Sequence, residues 1–126
     1  MSRYVAVALE LHSLDEVAAG LQGLGLAFHH GRQRVMLEGS LECAGEPVDI
    51  RLAAGTLDAV EDFGFVCDAG AIRLVCGELD AERLQHDLLV PLRAAVVQQR
   101  VEAAGMRIDA VEVGPDGVHR IVVTED

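Results

Sequence analysis

The stretch from 62 to 77 reads DFGFVCDAGAIRLVCG, and its reading decides the fold. Asp62-Phe63-Gly64 spells a triplet that holds magnesium in protein kinases, and Cys67 and Cys76 flank a glycine-containing turn. Alternation gives a plainer account. With Ala69-Gly70 as the tip of a hairpin, Cys67 faces Ile72, Phe65 faces Leu74 and Phe63 faces Cys76. Opposed residues, and residues two apart, share a face of a sheet. The six form one apolar row, with Gly64 on the other side. Cys67 and Cys76 are then offset by roughly 13 Å along the ladder. A disulfide needs Cα atoms within about 7 Å, and one zinc ion cannot take both thiolates. The cysteines read as small buried hydrophobes. A kinase would also need a strand lysine and a catalytic-loop HRD. The chain has neither.

Working outward, residues 3–11 (RYVAVALEL) alternate with Val5, Val7, Leu9 and Leu11 on one face, a strand. Ser13 and Glu16 form a capping box for a helix over 14–24, closed by Gly25. Residues 26–30 predict a short strand, a turn at Gly31-Arg32, and a strand over 33–43 with Val35, Leu37, Leu41 and Cys43 on one face. After the turn at 44–47, Val48, Ile50 and Leu52 alternate with Asp49 and Arg51. A second helix opens at Asp80, with Leu79 and Leu84 placed for a hydrophobic staple, and runs to about 104. Pro91 predicts a kink or break, because it removes a donor and clashes one turn back. The remainder predicts a hairpin around Gly-Pro-Asp-Gly at 114–117. The order is β-α-β-β-β-β-β-α-β-β. This is an α+β class, two-layer domain: one mostly antiparallel sheet with two helices on one face and the other face wet.

Composition narrows the function. The 126 residues suit one domain over 1–126, 51% hydrophobic and 25% charged. The net charge is −11, which argues against nucleic acid and anionic membrane surfaces as partners. All ten basic residues are Arg, so no Schiff-base or phosphate-loop lysine exists. The N-terminus lacks a signal peptide, and no apolar run approaches the ~18 residues of a membrane span. With three Cys, an odd number, a reducing cytoplasm is the expected compartment.

Several strings resemble the family founded on hypothetical chloroplast open reading frame thirty-five, found in plastids, cyanobacteria and other bacteria. They are Ser2-Arg3-Tyr4, LGL at 24–26, VDIRL at 48–52, DFGF at 62–65, IRLVC at 72–76, EAAGM at 102–106 and DGVHRIVV at 116–123. The chain departs from the family at Leu92 and Ala94, where members tend to carry tyrosines, and at Cys76-Gly77, where they tend to carry Ala-Asp. The family is a domain of unknown function, so the resemblance implies a fold and an accessory or interaction role, without a reaction.

No nucleophile elbow, dinucleotide fingerprint or Walker sequence is present, and no cofactor or catalytic residue is expected. His29 and His30 are adjacent on a strand and point to opposite faces. The one metal-type arrangement left open joins His12, a carboxylate and His29 or His30; no metal is expected. His86 pairs with Glu82 at helical spacing, and His119 opposes Glu112. Seven acids (Glu61, Asp62, Asp68, Glu78, Asp80, Glu82, Asp87) read as a solvated face or as a docking surface for a basic partner. Arg32, Arg34 and Arg51 form a basic patch on the open sheet face. Two functions follow. One is a non-enzymatic protein-interaction domain, self-associating or docking a protein partner. The other is a binding protein or enzyme using Arg34, Arg51 and His30 as anion contacts. A pocket of about 300 Å³ lined by those residues favours the second, and a flat, partly apolar face the first.

Overall fold

The computed structural model describes residues 4–11, 13–39, 45–113 and 119–125, with side chains described as far as Gly105. In order come β1 (Tyr4–Leu9), α1 (Leu14–Gly23), β2 (His29–Met36), β3 (Pro47–Leu52), a 3-10 turn (Thr56–Asp58), β4 (Phe63–Asp68) and β5 (Ala71–Gly77). Then follow α2 (Ala81–Leu84), a π-helical turn (Gln85–Leu89), α3 (Val90–Ala103), β6 (Met106–Val113) and β7 (His119–Glu125). Five strands form one sheet in the order β1-β5-β4-β3-β2, every neighbour antiparallel. The helices lie on one side of it, giving an α+β fold. β6 and β7 pair as a separate two-stranded sheet beside α3, rather than extending the main one.

The central hairpin has the expected register: Cys67 opposes Ile72 and Phe65 opposes Leu74. Its tip takes φ of +51° at Ala69 and +80° at Gly70. Two positive φ values make a type I′ turn, whose twist matches that of the strands. Phe63, Phe65, Ile72, Leu74 and Cys76 are fully buried, and Cys67 is half-buried at the open end of the row. β1 extends these rows, with Val5 against Cys76, Val7 against Leu74 and Leu9 against Ile72. Ile50 and Leu52 extend them on the other flank, against Phe65 and Phe63. Val17 and Leu21 of α1, with Leu84, Leu88, Leu89, Leu92 and Val96, close this core from above.

Helix α1 starts where Ser13 Oγ accepts the Glu16 amide at 3.3 Å. It ends in a Schellman motif: Leu26 N–H donates to Leu21 C=O and Gly25 N–H to Gln22 C=O. The Glu16 carboxylate accepts from both Nε and Nη2 of Arg100, tying α1 to α3.

Several expectations change. No turn breaks the chain at Gly31-Arg32; β2 runs through it with a bulge, because His30 opposes Ile50 while Val35 opposes Val48. Val48 does not share the main core with Ile50. It packs with Leu37, Val66 and Val75 on the opposite face, so alternation slips at Asp49 where β2 bulges. Pro91 does mark a break in the regular α-helix: α2 stops at Leu84 and α3 starts at Val90, with Pro91 in its first turn. The π-helical turn directly before it absorbs the misfit of a residue that cannot donate. Leu79 is 74% exposed while Leu84 is buried, so no staple forms. In the last hairpin Glu112 opposes Arg120 and His119 opposes Val113, one residue from the expected register. Leu41, Cys43 and the 114–117 turn lie outside the described residues. No helix among the described residues is long and apolar enough to cross a membrane.

Candidate functional site

The sheet face away from the helices carries the candidate basic residues. It is not simply open. Leu37, Val48, Val66 and Val75 form a second buried cluster there, with Tyr4 and Val35 against it. Charged groups ring this cluster, and most of them are committed to one another.

Asp62 is the hub. Its side chain is 3% exposed. It accepts from Tyr4 Oη at 2.5 Å, Glu38 N at 2.6 Å, Gly39 N at 2.9 Å and Arg51 Nε at 3.0 Å. Burial pushes this carboxyl up, but the donations from Tyr4, Glu38, Gly39 and Arg51 together hold it below the usual carboxylate range. The first residue of the kinase-like triplet thus binds β1, the end of β2 and β3 to one point. Arg51 also lies 3.6 Å from the Glu38 carboxylate.

A second network spans β2, β3 and the hairpin end. Arg34 donates to Asp49 at 3.1 Å, to Asp68 at 2.8 Å and to the Cys67 carbonyl at 2.8 Å. Arg73 donates to the other Asp68 oxygen at 2.6 Å, and Asp49 accepts the Cys67 amide at 2.8 Å. Asp68, exposed between two guanidinium groups, is held below its ordinary value chiefly by Arg34. Hydrogen bonds to Asp68 and then Asp49 raise Arg34 in turn.

The predicted acidic docking surface is largely dismantled. Glu61, Asp62 and Asp80 are buried. Asp80 does not cap its own helix; it accepts the amides of Val60 and Glu61 at 3.0–3.1 Å, and Arg83 at 3.3 Å. Glu78, Glu82 and Asp87 remain exposed. His86 meets Asp87 at 3.0 Å rather than Glu82, since a π-helical turn displaces the four-residue spacing.

Arg34 and Arg51 therefore sit in separate carboxylate networks. His30 and His29 are exposed on β2, opposite Ile50 and Arg51 respectively. His12 lies outside the described residues. Among the described residues, no three His, Cys, Asp or Glu side chains converge as metal ligands would. A cavity of about 200 Å³ opens on this face beside Tyr4, Arg34, Asp68, Arg73 and Val75; neither Arg51 nor a histidine lines it.

The sequence reading overlooked Tyr4 and Asp62 as a pair. One signal was available: the chain's single Tyr has the parity of the face away from the helices. The cysteines carry a separate expectation. Burial, and then the charge of Asp80, push the Cys76 thiol up to about 11. It should be inert in the folded protein. In a Cys43→Ser variant at neutral pH, a thiol reagent should titrate Cys67 in the native state and Cys76 only after denaturant is added. Native-state reaction of both would contradict this burial.

In comparisons with family models, curated proteins and solved structures, nothing matches the chain.

Proposed function

We propose that this chain is a non-enzymatic protein-interaction domain of the cytoplasm that works by self-association. One observation carries the reading. Arg34, Arg51 and Arg73 on the sheet's second face spend donors on the chain's own carboxylates, while Arg32 stays exposed on β2. An anion would have to displace Asp49 and Asp68 from Arg34, or Asp62 from Arg51. The 200 Å³ cavity is also smaller than ligand sites usually are. These networks fix strands to one another, which is what a rigid contact surface needs. The resemblance to a family without an assigned reaction agrees with this.

Calorimetric titration with inorganic phosphate and with a dicarboxylate should give no saturable heat. Light scattering on the same sample should give a mass above the 13.4 kDa of one chain. Saturable phosphate binding by a monomer, lost in Arg34→Ala, would replace this reading with the anion-site alternative.

A further inference from the structure

Four large apolar side chains stand exposed among the described residues, and two of them lie at the start of α2: Val60, 64% exposed, and Leu79, 74% exposed. Asp80 brings them there. Its carboxylate accepts the Val60 amide at 3.0 Å, and Leu79 is its neighbour in the chain. Exposed apolar groups that gather inside a polar rim mark contact surfaces. Leu79 also borders a groove of about 450 Å³, completed by Glu82, Arg83, His86 and Asp87. Its wall exposes more carbon than polar atoms. That volume is in the range of sites that take a small ligand or a partner's side chain.

The charges of this groove are one-sided. Arg83 is turned inward, donating to the Asp58 carbonyl and to buried Asp80. Its charge is therefore matched within the chain. His86 sits 3.0 Å from Asp87, and the π-helical turn that places it there takes it away from Glu82. Glu82 is exposed and forms no ion pair among the described residues. With Arg83 set against Asp80, Glu82 and Asp87 leave the rim acidic.

We infer that this groove docks a segment of a protein partner that carries both basic and apolar side chains. An apolar side chain lies on Leu79 and Val60, and an arginine or lysine reaches Glu82 and Asp87. Charge complementarity selects this occupant. A second copy, itself of net charge −11, is repelled by the rim instead. The inference goes beyond self-association and does not depend on it: the groove belongs to the helix layer, not to the sheet's second face.

Fluorescence anisotropy on the full chain, with a labelled peptide of arginines and leucines, tests it. Binding should saturate, and should weaken about tenfold or more in each of two variants, Glu82→Lys and Leu79→Ser. Both positions are exposed, so circular dichroism should stay as in the wild type. Glu102→Lys makes the same change of charge at the exposed far end of α3 and should leave the affinity unchanged. The peptide with glutamine in place of arginine should not bind. Equal weakening by Glu82→Lys and Glu102→Lys would mean diffuse attraction to an acidic protein and would overturn the site. So would the absence of saturable binding, or equal binding of the glutamine peptide. If Leu79→Ser does not fold, Glu82→Lys against Glu102→Lys decides alone. Light scattering identifies the other occupant: a wild-type oligomer that Leu79→Ser reduces to single chains gives the groove to a second copy and overturns the basic partner. A monomeric wild type that binds the peptide through Glu82 and Leu79 supports this inference while removing self-association.

Discussion

Replacing Asp62 with Ala should lower stability by about 3–5 kcal/mol, because it strips the partner from a half-buried guanidinium and from two backbone amides at once. For a chain of this size that corresponds to a fall in Tm of roughly 10–20 °C. The donors left behind are Glu38 N, Gly39 N, Arg51 Nε and the Tyr4 hydroxyl. Asp62→Asn keeps an acceptor and loses the charge, so it should fall between the wild type and the Ala variant. The pH dependence has a definite sign. A carboxyl held below its unfolded value of 3.8 contributes stability that is complete above that pH. The contribution is lost as pH falls through the lowered native value. The acid limb of the wild-type stability curve should therefore flatten in Asp62→Ala. Denaturant melts from neutral to acid pH check both statements. A loss below about 1 kcal/mol with an unchanged acid limb would remove Asp62 from its place as hub.

Two residues on, Gly64→Ala should be nearly as damaging for a different reason. A Cβ at Gly64 would lie 2.1 Å from the Ile50 carbonyl oxygen, 2.9 Å from Val48 Cγ2 and 3.1 Å from Val48 Cβ. The first of these is backbone in the adjacent strand. It cannot retreat without opening the pairing of Ile50 with Phe65 and of Arg51 with Gly64. Overpacking of this kind costs about 3 kcal/mol or more when the neighbour cannot move. The double variant Gly64→Ala/Val48→Ala separates the two contacts. It should recover nothing, because removing the valine leaves the carbonyl in place. Recovery to wild-type stability would mean that the side-chain contact sets the constraint.

Both variants fall within the kinase-like triplet, and neither acts through chemistry. The aspartate ties three strands, the phenylalanine fills the core and the glycine lets β3 and β4 approach. How far this was legible depends on what each residue signals locally. The hairpin was readable because period-two alternation on both arms and a two-residue tip fix one register. Helix α1 was readable because cap, stripe and terminal glycine agree. β2 was not: HHGRQRVM has no apolar alternation before Val35, so a bulge and a turn look alike. Val48 kept the parity of Ile50, and nothing in the string VDI marks the slip at Asp49. Pro91 announced a disturbance but not that a π-helical turn would absorb it. The final register was one residue off because five residues, not four, separate the paired Val113 and His119.

The candidate site was harder still. Arg34 and Arg51 were visible as basic residues on a polar face. Their partners Asp68 and Asp62 sit on or just before another strand and read in the sequence as members of an acidic crowd. Charge counting cannot tell a solvated carboxylate from one folded onto its own arginine; only the register of β2, β3 and β4 can.

Light scattering on the unmodified chain across a dilution series tests this account most directly. It predicts a mass of twice 13.4 kDa at high concentration, falling toward one chain on dilution. A constant single-chain mass throughout would contradict it.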